Sequence, residues 1–134
     1  MLNVGVDLHK TQMTVCFLFG TSEPLQKVYR TDKSGYEAFC QDIKSFGIVR
    51  KKIRIGVETT GNVWFFVKQM EESVGEIQVI NTMKFKVIVE STSKTDRRDA
   101  RVIAEYLQKE MLPTVTLPDE KSRAIARVTF KCCG

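Results

Sequence analysis

The first third of the chain alternates apolar and polar residues in the manner of β-strands. Every second residue of 3–8 is apolar, and a β-rich run follows at residues 13–19. Only a few polar residues separate the two runs, so we predict a hairpin. Turn-forming residues then precede a third strand at residues 26–30. Three sequential strands of this kind form an antiparallel meander.

The middle of the chain changes to helical spacing and then mixes helices with strands. Asp32 or Ser34 is suited to cap a helix whose apolar residues recur every three or four positions. A strand over residues 52–58 leads into a second helix with an apolar stripe, which we expect to end at Gly75. A short strand is predicted at residues 77–80.

The last third of the chain is predicted to be helical in pieces, at residues 83–89, 95–110 and 120–131. The resulting order of elements predicts a mixed five-stranded α/β sheet, with an antiparallel meander, parallel strands, helices on both faces and a helical C-terminal extension. This is the pattern of the ribonuclease H-like fold. We expect one compact domain over residues 1–112, followed by a connector and the start of a helical region over 113–134.

Composition narrows the class of protein. A chain of 134 residues with 43% hydrophobic composition is long enough for one ordinary core and too short for two typical domains. The net charge of +5 suits a polyanionic partner such as nucleic acid, although many other proteins carry a similar excess.

The cysteines and the N-terminal sequence indicate the cellular compartment of the protein. The four cysteines form no C-x-x-C pair, so the sequence indicates neither a zinc site nor a disulfide framework. The sequence shows no signal-peptide pattern and no apolar run long enough to span a membrane. We therefore expect a cytoplasmic protein with reduced thiols and no membrane partner.

Two predicted strands end in the same local pattern, in which an acid follows a glycine by two residues. These are Gly5-Val6-Asp7 and Gly56-Val57-Glu58. We expect the glycine to leave room beside the acid, and ligands of open α/β sheets collect beyond the carboxyl ends of parallel strands. If the two strands are neighbours, the acids face one space. The alternative is that Asp7 starts a turn and Glu58 precedes a helix N-terminus, both in ordinary structural roles.

A second acidic pair lies near the start of the predicted helix over residues 95–110. On a helical wheel, Asp96 and Asp99 extend the apolar stripe that packs inward. Buried like charges are costly, so this placement indicates a compensating cation. The alternatives are that Asp96 caps the helix and that Asp99 pairs with a neighbouring arginine.

Four carboxylates in one place suit hard cations, so we predict a site for Mg²⁺ or Mn²⁺. Two such ions about 4 Å apart activate the attacking oxygen and stabilise the leaving oxygen in phosphodiester cleavage. The predicted reaction class is phosphoryl transfer on nucleic acid, with Asp7, Glu58, Asp96 and Asp99 as both metal-binding and catalytic residues.

Basic residues beside the acids are candidates for contact with phosphate. Arg97, Arg98 and Arg101 lie on the outer face of the helix that carries two of the acids, and Lys10 and Lys94 flank the acids in sequence. The alternative is that these basic residues form an exposed helix face whose charges are solvated by water.

Two further residues stand out by their type. His9 is the only histidine, and we interpret it as a turn residue, with contact to nucleic acid or metal as the alternative. Trp64 is the only tryptophan, and we interpret it as a residue at the edge of the core or at an interface. Neither residue alone indicates a function.

Taken together, three motifs resemble those of one known family. Residues 4–10 (VGVDLHK), 57–61 (VETTG) and 94–100 (KTDRRDA) are similar, in order and spacing, to the motifs of bacterial insertion-sequence transposases of the one-ten (DEDD) type. The resemblance covers essentially the whole chain. It implies a Holliday-junction-resolvase-like (RuvC-like) domain in which the four acids bind Mg²⁺.

The resemblance also implies partners. Members of this family act on donor and target DNA, some use a structured guide RNA, and they work as dimers or higher oligomers. Family enzymes continue into a second domain that supplies a nucleophilic serine, whereas this sequence stops at residues 130–134 (FKCCG). We therefore expect an excised domain or a truncated gene product that is incomplete alone for DNA strand exchange.

Three other functions compete with transposition. A stand-alone junction resolvase or ribonuclease H-type nuclease would use the same metal chemistry. A sugar-kinase or actin-like ATPase also begins with a Gly-x-Asp strand, but the sequence lacks the Gly-rich phosphate-binding loop that such proteins need. An inactive remnant that still binds nucleic acid is the non-enzymatic alternative, and the presence of all four acids argues against it.

Overall fold

The computed structural model describes residues 1–58, 63–92, 100–114 and 127–129. Within these ranges the elements are β1 (Leu2–Leu8), β2 (Gln12–Phe19), β3 (Leu25–Arg30), α1 (Lys33–Ser45), β4 (Ile53–Glu58), α2 (Val63–Met70), β5 (Glu76–Ile80), α3 (Thr82–Thr92), α4 (Ala100–Gln108) and β6 (Arg127–Thr129). A short 3₁₀ turn at Arg50–Lys52 leads into β4.

The strands form one mixed sheet in the order β3-β2-β1-β4-β5-β6. The meander β1-β2-β3 is antiparallel, and β1, β4 and β5 run parallel to one another. Helices lie between the parallel strands in sequence, as expected for crossover connections. The predicted mixed α/β sheet with a meander and parallel strands is therefore confirmed, and it is consistent with the ribonuclease H-like fold.

The sheet has a sixth strand that the sequence patterns did not predict. Arg127–Thr129 pair antiparallel with β5, so the helix predicted over residues 120–131 is wrong for these three residues. The rest of that predicted helix lies outside the described residues. Two of the three residues in β6 are β-branched, and their pairing covers the edge of β5, whose backbone groups would otherwise face solvent.

The start of α1 follows from its sequence. The Asp32 carboxylate accepts a hydrogen bond from the backbone N–H of Gly35 at 2.9 Å, so Asp32, and not Ser34, is the N-cap. The hydroxyl of Ser34 itself donates to Asp32. The Gly35 N–H, together with Arg30 and Ser34, lowers the pKa of the Asp32 carboxyl below its usual range.

Helix α2 is shorter than predicted. It ends at Met70, whereas the apolar stripe suggested a helix up to Gly75. The Arg50 side chain donates to the carbonyl oxygens of Glu71 and Val74, at 2.9 and 3.0 Å, and so satisfies groups beyond the helix end. Val74 is still buried, which explains why its spacing looked helical.

Each face of the sheet is covered by its own pair of helices. Helices α1 and α2 bury an aromatic cluster against one face, in which Phe39 contacts the rings of Phe17, Tyr29 and Phe66. On the other face, Ile103 of α4 packs with Phe85 of α3. The prediction of helices on both faces is confirmed.

Candidate functional site

Asp7 and Glu58 lie at the carboxyl ends of two neighbouring strands. Strands β1 and β4 pair in parallel, and the register places Val6 opposite Val57, so Asp7 and Glu58 occupy the next position in each strand. The two strands are therefore neighbours, which is the condition under which the acids were expected to face one space. Both acids are half-buried, and the side chain of Asp7 is 28% exposed.

The glycines before the acids have a different role from the predicted one. Gly5 lies opposite Gly56 in the register, on the same face of the sheet as the two acids. A Cβ at Gly5 would collide with the backbone of Ala100 and Ala104 in α4, and a Cβ at Gly56 would approach the Leu112 side chain to 2.9 Å. The glycines therefore make room for α4 and the chain after it, not for open space beside the acids.

Helix α4 begins at the acid-bearing end of the sheet. Ala100, its first residue, contacts the backbone of Gly5, two residues before Asp7. Its last turn reaches the opposite end of the strands, where the carbonyl oxygen of Leu107 accepts a hydrogen bond from Arg54, the second residue of β4. The helix therefore runs antiparallel to β1 across the face that carries the acids.

Buried polar contacts fix the C-terminal end of α4. The guanidinium of Arg54 is buried and donates to Asn3 Oδ1 at 3.0 Å and to the Leu107 carbonyl at 3.3 Å. The Gln108 amide donates to the carbonyl of Gly20 at 2.8 Å. Sequence reasoning missed these residues, although two polar residues facing one another inside otherwise apolar strands are a detectable signal.

His9 contacts Asp7 at the acid-bearing end of the sheet. Its Nε2 is 3.2 Å from Asp7 Oδ2, and its side chain is 57% exposed. The backbone N–H of His9 donates to the carbonyl of Gln12 at 2.9 Å, which closes the β1-β2 connection. His9 is thus a turn residue, as predicted, and it also contacts one of the four candidate acids.

The other predicted site residues are only partly within the described ranges. Asp96 and Asp99, together with Lys94, Arg97 and Arg98, lie outside the described residues. Lys10 is exposed in the β1-β2 connection, where its carbonyl accepts from the Thr31 hydroxyl. Arg101 is on the exposed face of α4, as predicted, and pairs with Glu105 at 3.0 Å.

The described part of the chain holds only half of the predicted metal site. Within it, no three His, Cys, Asp or Glu side chains lie close enough together to hold a metal ion. Asp7 and Glu58 supply two carboxylates, and the other two predicted ligands are outside these ranges. No helix among the described residues is both long and apolar enough to cross a membrane.

Comparison with known proteins identifies the family. The family model for DEDD transposases of the IS110 type, described as transposase, matches residues 4–130. No curated protein matches the chain. The matched segment includes both strand-end acids and all three motifs that carry the resemblance. Because the match covers nearly the whole sequence, the chain belongs to the IS110-type DEDD transposase family.

Proposed function

We propose that this chain is the catalytic domain of a DNA transposase, which binds two Mg²⁺ or Mn²⁺ ions between Asp7, Glu58, Asp96 and Asp99 and performs phosphoryl transfer on DNA. The observation that carries the proposal is the parallel register of β1 and β4, which sets Asp7 and Glu58 side by side at one end of the sheet. This is the end at which open α/β sheets bind their ligands.

The positions of Asp96 and Asp99 along the chain support their assignment to the same metal site. Asp99 is the residue directly before Ala100, and consecutive Cα atoms are about 3.8 Å apart. Ala100 contacts Gly5, which precedes Asp7 by two residues on the same face of the sheet. Asp96 lies four residues before Ala100, within a chain reach of about 14 Å.

The donor chemistry of the four residues fits hard cations. Carboxylate oxygens are the ligands that Mg²⁺ and Mn²⁺ prefer. Asp7 and Glu58 are only half-exposed, so water screens their mutual repulsion incompletely. A bound cation would offset that repulsion, and the repulsion would increase further as Asp96 and Asp99 approach.

Different residues of the chain would have different roles in the reaction. When bound, the metal ions supply activation of the attacking oxygen and stabilisation of the leaving oxygen. The carboxylates hold the ions, and the contact with His9 restricts the orientation of the Asp7 carboxylate. The rigid attachment of α4 through Arg54 holds the start of that helix at the acid-bearing end of the sheet.

Basic side chains around the acids would bind DNA phosphates. Lys10 is exposed three residues after Asp7. The ion pair of Arg101 with Glu105 is largely exposed, so it contributes little stability, and a phosphate could replace the glutamate. We assign the same role to Lys94, Arg97 and Arg98 from their positions in the sequence.

Family membership supports a proposal for the wider assembly. We propose that DNA is the substrate, that a structured guide RNA is a partner if this member uses one, and that the protein acts in the cytoplasm as a dimer or higher oligomer. Residues 1–112 would form the catalytic domain, and 113–134 would lead toward a further domain. The pairing of β6 with β5 attaches part of that second segment to the same sheet.

The experiment that tests this function is cleavage of end-labelled DNA in Mg²⁺ or Mn²⁺. We would compare a DNA duplex, a four-way junction and an RNA–DNA hybrid, using wild type, Asp7→Asn and Glu58→Gln, with Glu37→Gln as a control at an exposed acid on α1. We expect metal-dependent DNA cleavage that both site variants abolish and the control retains. Cleavage confined to the hybrid would favour a ribonuclease H-type nuclease, and cleavage that persists in both site variants would contradict the proposal.

A further inference from the structure

We propose that Trp64 and Phe65, at the start of α2, form a stacking surface for unpaired bases of a nucleic-acid strand bound at the acid-bearing end of the sheet. We call these two residues the aromatic platform. The inference rests on the proposed function in one respect, which is that a nucleic acid is expected at this end of the sheet.

Helix α2 packs on the face of the sheet opposite to α4, but the chain keeps the start of α2, and with it the platform, within reach of the acid-bearing end of the sheet. Helix α2 begins at Val63, five residues after Glu58, so the chain cannot separate these two Cα atoms by more than about 18 Å. Val63 and Phe66 are buried in the core. The intervening residues, Trp64 and Phe65, therefore lie on the outer side of the helix, where they are 45% and 54% exposed.

A buried ring supports one residue of the platform, Phe65. The ring of Phe65 packs edge-to-face on Tyr36, with centroids 5.8 Å apart and an interplanar angle of 74°. Tyr36 is buried and also contacts Phe66, which is fully buried. Phe65 thus has rigid support on one side and a solvent-exposed surface on the other, and little side-chain freedom would be lost when a flat ring stacks on it.

An exposed lysine lies on the same side of α2 as the two aromatic rings. Lys68 is exposed and lies four residues after Trp64 and three after Phe65, so it shares their side of the helix. Lys33 is exposed in the first turn of α1, one helical turn before Tyr36. Lys68 adds an exposed ammonium group to the side of α2 that carries the two exposed rings, which suits a ligand that combines phosphates with flat bases.

The combination of exposed aromatic rings and positive charge favours one class of partner over the others. An apolar protein surface would have to bring Lys68 into an interface without a counter-charge, which is unfavourable. In a DNA duplex the faces of the bases are covered by their neighbours, and stacking on a protein requires bases that are unpaired or splayed out. The platform therefore fits a single-stranded segment of a nucleic acid that also reaches the acid-bearing end of the sheet.

The chain supplies its own probe for this proposal. Trp64 is the only tryptophan, so tryptophan emission, excited at a wavelength that tyrosine does not absorb, reports on the platform alone. We would titrate the whole chain with single-stranded oligothymidylate at fixed salt in EDTA, and repeat the titration with an abasic oligonucleotide of the same length and with a duplex. We expect saturable quenching by oligothymidylate and much weaker quenching by the other two.

Two variants make the test specific. Phe65→Ala is expected to weaken oligothymidylate binding by about 5- to 150-fold, the range that corresponds to the loss of one stacked base. Phe19→Ala is the matched control, because Phe19 is also 45% exposed but pairs with Leu2 at the opposite end of β1. We expect this control to bind like the wild type.

Each alternative outcome overturns the proposal. Equal quenching by the abasic strand would mean that phosphates alone are bound, and emission that changes with protein concentration but not with oligonucleotide would indicate a second copy. Because the titration contains no metal, its result is separate from the metal site. DNA cleavage without any response of Trp64 would support the proposed function and contradict the platform. Quenching of Trp64 without DNA cleavage would support the platform and contradict the proposed function.

Discussion

Gly5 lies directly opposite Gly56 in the parallel pair β1 and β4, and helix α4 crosses the sheet over these two residues. A Cβ at Gly5 would overlap the backbone of α4, whereas a Cβ at Gly56 would meet the ends of the Leu112 and Ile103 side chains. The same helix begins at the end of the sheet where Asp7 and Glu58 lie. Gly5 therefore allows the start of α4 to lie against the backbone of β1.

Gly5→Ala is expected to lower the free energy of unfolding by more than about 3 kcal/mol, because the added Cβ would overlap backbone atoms that cannot rotate away. Gly20→Ala is the control. Gly20 has φ of +60° and open space around it, so strain there costs about 1–2 kcal/mol. Urea unfolding of the two variants measures the difference, and equal losses would show that α4 does not pack as closely on β1 as described.

The end of α4 predicts a stabilising substitution. Glu110 has φ of 59°, its N–H donates to Leu107, and the next N–H, of Met111, donates to Tyr106, which is the geometry of a Schellman motif. Glu110→Gly should raise stability by about 0.5–1 kcal/mol, because glycine adopts this conformation without strain. The 3.7 Å contact with Arg54 that is lost involves a largely exposed carboxylate and contributes little.

The matched control for that prediction is the same substitution inside α4. Glu105 is in the interior of the helix, so Glu105→Gly should lower stability by about 1 kcal/mol. Thermal or urea unfolding distinguishes the two signs. A loss of stability in both variants would mean that Glu110 is not in the left-handed conformation in solution.

Arg54→Ala should destabilise the fold by about 2–5 kcal/mol, because it leaves Asn3 Oδ1 and the Leu107 carbonyl without their buried donor. Arg54→Lys should recover only part of this, since an ammonium cannot reproduce the fork of a guanidinium. Amide hydrogen exchange would test the mechanism. We expect faster exchange concentrated in α4, whereas a uniform increase over the whole sheet would argue against a local role.

Two tyrosines predict a loss of stability in alkali. Burial raises the pKa of Tyr36 to about 12, and burial together with the hydrogen bond to Asp42 raises the pKa of Tyr29 even further. The unfolded chain releases these protons near pH 10 and the folded chain retains them, so the stabilising effect is full below pH 10 and falls as pH rises above it.

Unfolding temperatures measured from pH 8 to 11 check this prediction, with Tyr29→Phe as the diagnostic variant. The variant should be less stable than wild type at pH 8, because it loses the bond to Asp42, and its stability should fall less steeply above pH 10. Parallel curves for the two proteins would contradict the assignment to Tyr29. The pKa of Asp42 is lowered by that hydrogen bond and by Lys27, so this contribution is also lost as pH falls below about 4.

Local patterns in the sequence were sufficient for much of the fold. The β1-β2 hairpin and the Asp32 cap depend on residues close together in the chain; the hairpin was predicted correctly, and Asp32 was one of the two predicted caps. The glycine–acid pattern at Asp7 and Glu58 placed an acid at the end of each of two strands, which the structure pairs in parallel. Each of these features leaves a signal within a window of a few residues.

Features that depend on distant contacts could not be predicted in this way. Strand β6 has three residues, too few for a periodic pattern, and it forms because β5 offers an edge. The bond between Asn3 and Arg54 joins residues 51 positions apart. The function of Gly5 was misread because the sequence does not show which segment lies over it.

The most direct test of the metal site is thermal unfolding of wild type and Asp7→Asn, with and without millimolar Mg²⁺ or Mn²⁺, and with Glu37→Gln as the control. A ligand bound only by the folded state raises its stability, by about 2.7 kcal/mol at 100 times the dissociation constant. We predict a metal-dependent rise of several degrees in wild type and Glu37→Gln that disappears in Asp7→Asn. The absence of any rise in wild type, or an equal rise in Asp7→Asn, would contradict a metal site built on this carboxylate.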